Sequence, residues 1–324
     1  MRSLIPACGG AELTMGDVLA QSVTTGSESL ADEVFLARAP RRPSILSSIR
    51  RQRLALTGLI VIVIFTLIAL FGQYFAPHGP TEQFSKHILE PPSREFPLGT
   101  DEFGRDILTR MLYGARVSFQ VGFFSVLLAG SVGVVLGLVA GYLGGWIDNI
   151  LVLLMDVIWA FPAVLLAIVF VTTLGNSLQN AMIAIALVYM PTFMRVVRGS
   201  TMAIRQTTYV EAAHATGVGL PRMLSRHVFP NITAPLIVHA SLNFAAAVLA
   251  EASLSFLGLG NQPPNPSWGS MVSSSYGYLQ QAPWAAIVPG TAIALVVLGF
   301  NLLGDGLRDA LDPRLRNAAA APEK

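Results

Sequence analysis

Apolar residues in this chain arrive in uninterrupted blocks, not at the spacing of half-buried strands or one-sided helices. Six blocks could each cross a bilayer core as a helix, which takes roughly 20 residues. They cover 54–75, 117–143, 149–174, 178–194, 232–257 and 284–304, the fourth being the shortest. No stretch alternates in the manner of a barrel strand. The pattern predicts an all-α polytopic membrane protein with six transmembrane helices. It divides the chain into an N-terminal arm (1–53), a first helix (54–75), a long loop (76–116), a membrane domain (117–309) and a tail (310–324). Within the membrane domain, the longest polar interruption is the 207–231 loop.

Composition agrees with that division. Hydrophobic residues make up 53% of the 324 residues and charged residues only 12%, about half the charge of a soluble domain. Sixteen of the 21 basic residues fall in the arm, the connection between the fourth and fifth blocks, and the segment after the sixth block. With six spans these lie on one side, so the positive-inside bias places both termini and the 207–231 loop in the cytoplasm. The first forty residues lack periodicity and read as a mobile arm. Cys8 is the sole cysteine, so no disulfide forms within the chain.

Catalysis finds little support. The only lysines, Lys86 and Lys324, follow no glycine-rich loop, so the chain cannot hold ATP in the P-loop manner. The five histidines form no H-E-x-x-H pair, and a lone one such as His239 reads as a packed polar residue. The chain is expected to be no enzyme, to carry no cofactor or metal, and to have no nucleic-acid partner.

The polar stretch 211–231 reads EAAHATGVGLPRMLSRHVFPN. Thr208 and Glu211 have capping-box spacing, predicting a helix that starts near Tyr209. Gly217 suits a left-handed cap, and Pro221 the first turn of a second helix, which Pro230 and Asn231 are expected to end near Phe229. Ala212, Ala213 and Ala215 keep one surface low, so another protein can approach. The alternative is that Glu211 merely caps its own helix.

In and just beyond the second block, Ala129, Gly133, Gly137, Gly141 and Gly145 recur every four residues, a ridge for close helix packing. Pro162, Pro191, Pro235 and Pro289 mark possible kinks. Asp156 and Glu251 lie at membrane depth, where a charge costs roughly 2.5–3.5 kcal/mol on insertion scales, so each is expected to face protein or water. Each could line or gate a translocation path or hold the structure together. Outside the spans, residues 96–106 and 261–283, with Asp101, Arg105, Asp106 and Trp268, form a candidate docking surface. The first three could equally brace their own loop, and Trp284 reads as an interfacial belt residue.

Several segments carry a family resemblance. Residues 211–231 resemble the EAA loop of ABC-importer membrane subunits, with Glu211, Ala212, Ala213, Gly217 and Pro230 at matching places. Residues 97–106 (PLGTDEFGRD), 251–260 (EASLSFLGLG), Trp268-Gly269 and 301–316 (NLLGDGLRDALDPRLR) are similar to segments of dipeptide, oligopeptide and nickel permeases. The resemblance covers about 50–316, and the long loop after the first span resembles the second-type permease. It implies the type I ABC importer transmembrane fold in a prokaryotic inner membrane. It also implies a homologous second permease, two ATPases that bind ATP and Mg, and an extracytoplasmic solute-binding protein. Glu211, Ala212, Ala213, Gly217 and Pro221 are then the residues coupled to the ATPase. Implied cargo is peptide first, then nickel chelates, glutathione-like molecules or glycosides. An ion-coupled secondary transporter and a membrane scaffold are weaker alternatives.

Overall fold

The computed structural model describes residues 53–311; the arm, Cys8 and the last residues of the tail lie outside them. The described chain is helical, its one β-bridge joining Thr100 and Asp106. The helices are α1 (Arg53–Phe71), α2 (Ile107–Leu143), α3 (Gly145–Trp159), α4 (Ala163–Leu174), α5 (Leu178–Arg205) and α6 (Thr208–Ala215). They continue with α7 (Leu220–Phe256), α8 (Trp268–Ser275) and α9 (Trp284–Leu311). Five of them (α1, α2, α5, α7 and α9) are long and apolar enough to span a membrane, and α3 with α4 makes a sixth when counted as one span.

That third span departs from expectation. In place of one straight helix over 149–174, α3 and α4 meet at 89°. The cause is local. Phe161 precedes Pro162, which disfavours helical backbone at Phe161, and Pro162 stands at the N-cap of α4 with extended ψ of 128°. Pro191, Pro235 and Pro289 instead lie inside α5, α7 and α9.

Helix ends differ too. α2 begins at Ile107, ten residues before the apolar block, because Asp106 caps it by accepting from Leu108 N (3.2 Å) and Thr109 N (3.0 Å). Its first turns carry Arg110 and Arg116, which hide the helix from an apolar pattern. Arg110 is buried, reaching Pro80 O at 3.0 Å and Asp101 at 3.4 Å. α5 runs eleven residues past the expected end at 194, and α7 starts twelve before 232.

The α2 ridge packs against α5. A Cβ on Gly133 would lie 2.7 Å from the Phe193 Cβ, one on Gly137 2.6 Å from Met194 O, and one on Gly141 2.7 Å from Arg198 O. Such backbone proximity is open only to glycine. Gly145 lies outside this contact, with nothing within 4 Å of a Cβ. Elsewhere α1 meets α9 through Gly58, where a Cβ would stand 2.6 Å from Gly299 O, and Phe244 of α7 stacks on Phe300 of α9 at 4.0 Å.

Candidate functional site

Three regions hold the predicted residues: an elbow at one end of the bundle, an ion-paired helix above it, and a braced loop at the other end.

The elbow is α6 and the start of α7. Thr207, not Thr208, is the N-cap, with no side-chain cap bond, and its hydroxyl donates to Ile204 O (2.5 Å). The predicted capping box therefore does not form. The third helical position is Val210, which is buried with Met223, Val228 and Ile232 under the elbow, so apolar burial sets the start of α6. Gly217 closes the helix as expected, at φ +78°. Its N–H donates to His214 O (3.0 Å) and the Val218 N–H to Ala213 O (3.2 Å), the paired bonds of a Schellman ending.

The second elbow helix does not stop at Phe229. Residues Met223–Val228 wind as a π-turn that leads into Phe229–Phe256. Proline's ring clashes with the carbonyl four residues earlier and it has no N–H to donate. The wider π-turn accommodates Pro230, and the Asn231 amide donates to His227 O (2.8 Å). The elbow is thus continuous with a spanning helix.

Glu211, Ala212, Ala215, Gly217 and Pro221 are exposed, with Ala213 half-buried. Gly217 and Gly219 have nothing within 4 Å of a Cβ. The elbow therefore has a greasy underside and a low outer face carrying one carboxylate. On the Glu211 side lies a cavity of about 560 Å³, lined by Tyr142, Asp148, Arg205, Glu211 and His214 among others.

Above the elbow, α3 is tied to α5. Arg195 Nη2 lies 2.5 Å from Asp156 Oδ1, and its guanidinium sits 3.6 Å from the Trp159 ring centre. Arg198 holds Asp148 one turn further along. Asp156 is thus exposed but paired. Sequence reasoning missed Asp148, Arg195 and Arg198 as a set; the only signal was that a membrane-depth acid needs a partner.

Glu251 is sealed, with no exposed surface. It accepts from Ser118 (3.2 Å) and Ser255 (2.6 Å). Beside it Gly269 packs on α7, where a Cβ would lie 2.6 Å from Ala252 O. Trp268, also fully buried, donates to Met111 O (3.1 Å) and meets Phe65 edge-on.

At this same end the 76–106 loop folds around Phe96, which is buried against His78, Phe84 and His87. Asp101 pairs with Arg105 (2.7 Å) and accepts from the Phe103 and Arg105 N–H groups (both 2.9 Å). Asp106 caps α2 and faces His78. Asp101, Arg105 and Asp106 lie inside the loop, while Phe103 is 51% exposed and stacks on Arg105.

Residues 133–317 match the family described as binding-protein-dependent transport system inner membrane component, and 44–92 match the N-terminal TM domain of oligopeptide transport permease C. The chain belongs to this permease family. It is 47% identical to the dipeptide transport system permease protein DppC of Alkalihalophilus pseudofirmus, covering 88% of this chain and 94% of that protein. It is 45% identical to the di/tripeptide permease DppC of Pseudomonas aeruginosa, and 43% identical to the glutathione permease GsiD of Pectobacterium atrosepticum. Both matches cover 82% of this chain and 89% of the relative. Among solved structures, the inward-facing MetNI methionine ABC transporter superposes with a TM-score of 0.50 at 19% identity, over 64% of this chain and 96% of that one. The permease therefore has the membrane fold of an ABC importer, and the elbow lies within the family match.

Proposed function

We propose that this permease imports di- and tripeptides across a prokaryotic inner membrane, in a complex with a homologous second permease, two ATPases and an extracytoplasmic binding protein. The names of its relatives support that cargo. ATP and Mg belong to the ATPases, and this chain performs no chemistry on its solute. Its termini and elbow face the cytoplasm, where most of its cations lie.

The observation that carries the reading is the continuity of the elbow with α7. In this reading Glu211, Ala212, Ala213, Gly217 and Pro221 present the face that an ATPase seats. Val210, Met223 and Val228 fasten that face to the bundle. A push on α6 then moves α7 as one body and not a hinge. Coupling requires the contact to differ between inward- and outward-facing states, typically by about 1–3 kcal/mol. Asp156 on α3, tied to Arg195 of α5, lines or gates the path, and Glu251 holds α2 to α7. Asp101, Arg105, Asp106 and Trp268 position the outer loop for the binding protein, with Phe103 among the residues that meet it.

Reconstitution of the whole complex in vesicles tests this. Labelled dipeptide should enter only with ATP and the binding protein, and excess glutathione should compete more strongly than a nickel chelate. Glu211→Lys should abolish uptake while the chain still inserts. Uptake without the ATPases, or unchanged uptake by Glu211→Lys, contradicts the proposal.

A further inference from the structure

A groove on the flank of the bundle, running from the level of Arg116 toward the start of α7, points to a bound lipid. Its upper part, about 380 Å³, lies between α1, α2, α7 and α9, with Leu70, Phe119, Phe123 and Phe300 among its walls and Arg116 at its rim. A second part of about 360 Å³ continues it, sharing Phe123 and Phe244 and extending to Val134 and Leu236.

Arg116 stands one residue before the apolar block of α2, the level at which a bilayer's headgroups begin. Its guanidinium donates to the Gln73 side-chain oxygen (2.6 Å), and among the described residues no carboxylate pairs with it. Gln120, one turn into the membrane, is the other polar rim residue. Below them the upper part offers one polar side chain, the Thr66 hydroxyl. The Ser131 hydroxyl in the lower part already donates to Leu128 O (3.0 Å), and the wall backbone is helical.

These features separate the occupants. A peptide backbone in such a groove would leave its N–H and C=O groups without partners, at a cost of several kcal/mol each. A hydrocarbon chain needs no partner. A companion helix would fill the apolar part and would need a carboxylate of its own at the rim to pair with Arg116. A phosphate satisfies Arg116, and the half-exposed Leu70, Phe123 and Phe124 flank the opening toward the lipid.

We propose that this groove is a phospholipid site, with the headgroup phosphate on Arg116, Gln73 and Gln120 and one acyl chain lying over Phe119 and Phe123 toward Phe244. It is independent of the imported solute, so failure of the peptide reading leaves it standing.

The test uses the full chain, stripped of lipid in mild detergent and titrated with phosphatidylglycerol under native mass spectrometry. Wild type should retain one lipid. Arg116→Gln should weaken retention about five-fold, the effect of one cation on a phosphate surface, and Arg116→Lys should restore most of it. Thr66→Trp, which fills the upper part, should abolish retention while helicity by circular dichroism stays unchanged. Diacylglycerol, lacking the phosphate, should bind no better than to Arg116→Gln. Equal retention by wild type and Arg116→Gln overturns the site, as does equal retention of diacylglycerol. Displacement of the lipid by a tripeptide, or cross-linking of Phe123→Cys to a second permease at full occupancy, also overturns it.

Discussion

Arg198 clasps Asp148 with both arms of its guanidinium: Nε lies 2.5 Å from Oδ1 and Nη2 lies 2.6 Å from Oδ2. Together with Arg195 on Asp156, this holds a broken helix whose buried residues are otherwise few, Asp148 and Met155 alone on α3.

Removing either partner of the Arg198–Asp148 pair should therefore loosen α3. We expect Asp148→Ala and Arg198→Ala each to lower unfolding free energy by about 1–3 kcal/mol, the usual range for a charge-assisted bond broken on one side. The double variant should cost little more than either single change. A double-mutant cycle on thermal unfolding in detergent measures this, and additive losses would show that the two side chains do not interact.

At Gly217 the penalty is conformational. Its φ of +78° is left-handed, yet a Cβ there meets nothing within 4 Å. Gly217→Val should cost about 1–2 kcal/mol of local strain and reshape the elbow, while Gly217→Asn, which tolerates the conformation better, retains most uptake. Binding-protein-stimulated ATP hydrolysis by the reconstituted complex distinguishes them; equal activity of the two variants rules out a backbone cause.

Crowding governs the α2 ridge. Gly137→Ala places a Cβ against Met194 O and the Val197 side chain, so α2 and α5 must separate. Overpacking of this kind typically costs about 1–3 kcal/mol. Gly130→Ala, whose nearest neighbour is a Phe193 ring atom at 3.5 Å, should be tolerated. Yield of monodisperse protein after extraction gives the comparison, and similar yields would contradict the contact.

Glu251 offers a further contrast. Glu251→Ala strands the Ser118 and Ser255 hydroxyls in a sealed site and should lower stability by about 2–4 kcal/mol. Glu251→Gln keeps a hydrogen-bonding group of the same shape and should lose much less. Thermal unfolding checks stability, and uptake normalised to folded protein separates packing from gating. A normal melting point for Glu251→Ala with uptake lost would mean that this acid serves the path.

Much of the elbow was legible because its signals are local. Gly217 ends a helix through its own φ, and Pro221 opens one. The capping box failed because Val210, not Thr208, decides where α6 starts, and burial of Val210 depends on Met223 and Ile232. Helix ends were misplaced where polar residues extend a spanning helix beyond the lipid, as Arg110 does in α2 and Arg222 in α7.

The residue pattern alone dictated a helical membrane bundle, since twenty apolar residues in a row must satisfy their backbone within themselves. It also marked the small-residue ridge and the polar elbow, which are properties of neighbours along the chain. Only the folded arrangement decided which acids are paired and which are sealed. Asp156 finds Arg195 39 positions away, Asp148 finds Arg198 50 away, and Glu251 finds Ser118 133 away. A buried or membrane-facing charge demands a partner, but its own surroundings in sequence cannot say which; helix packing brings the two together.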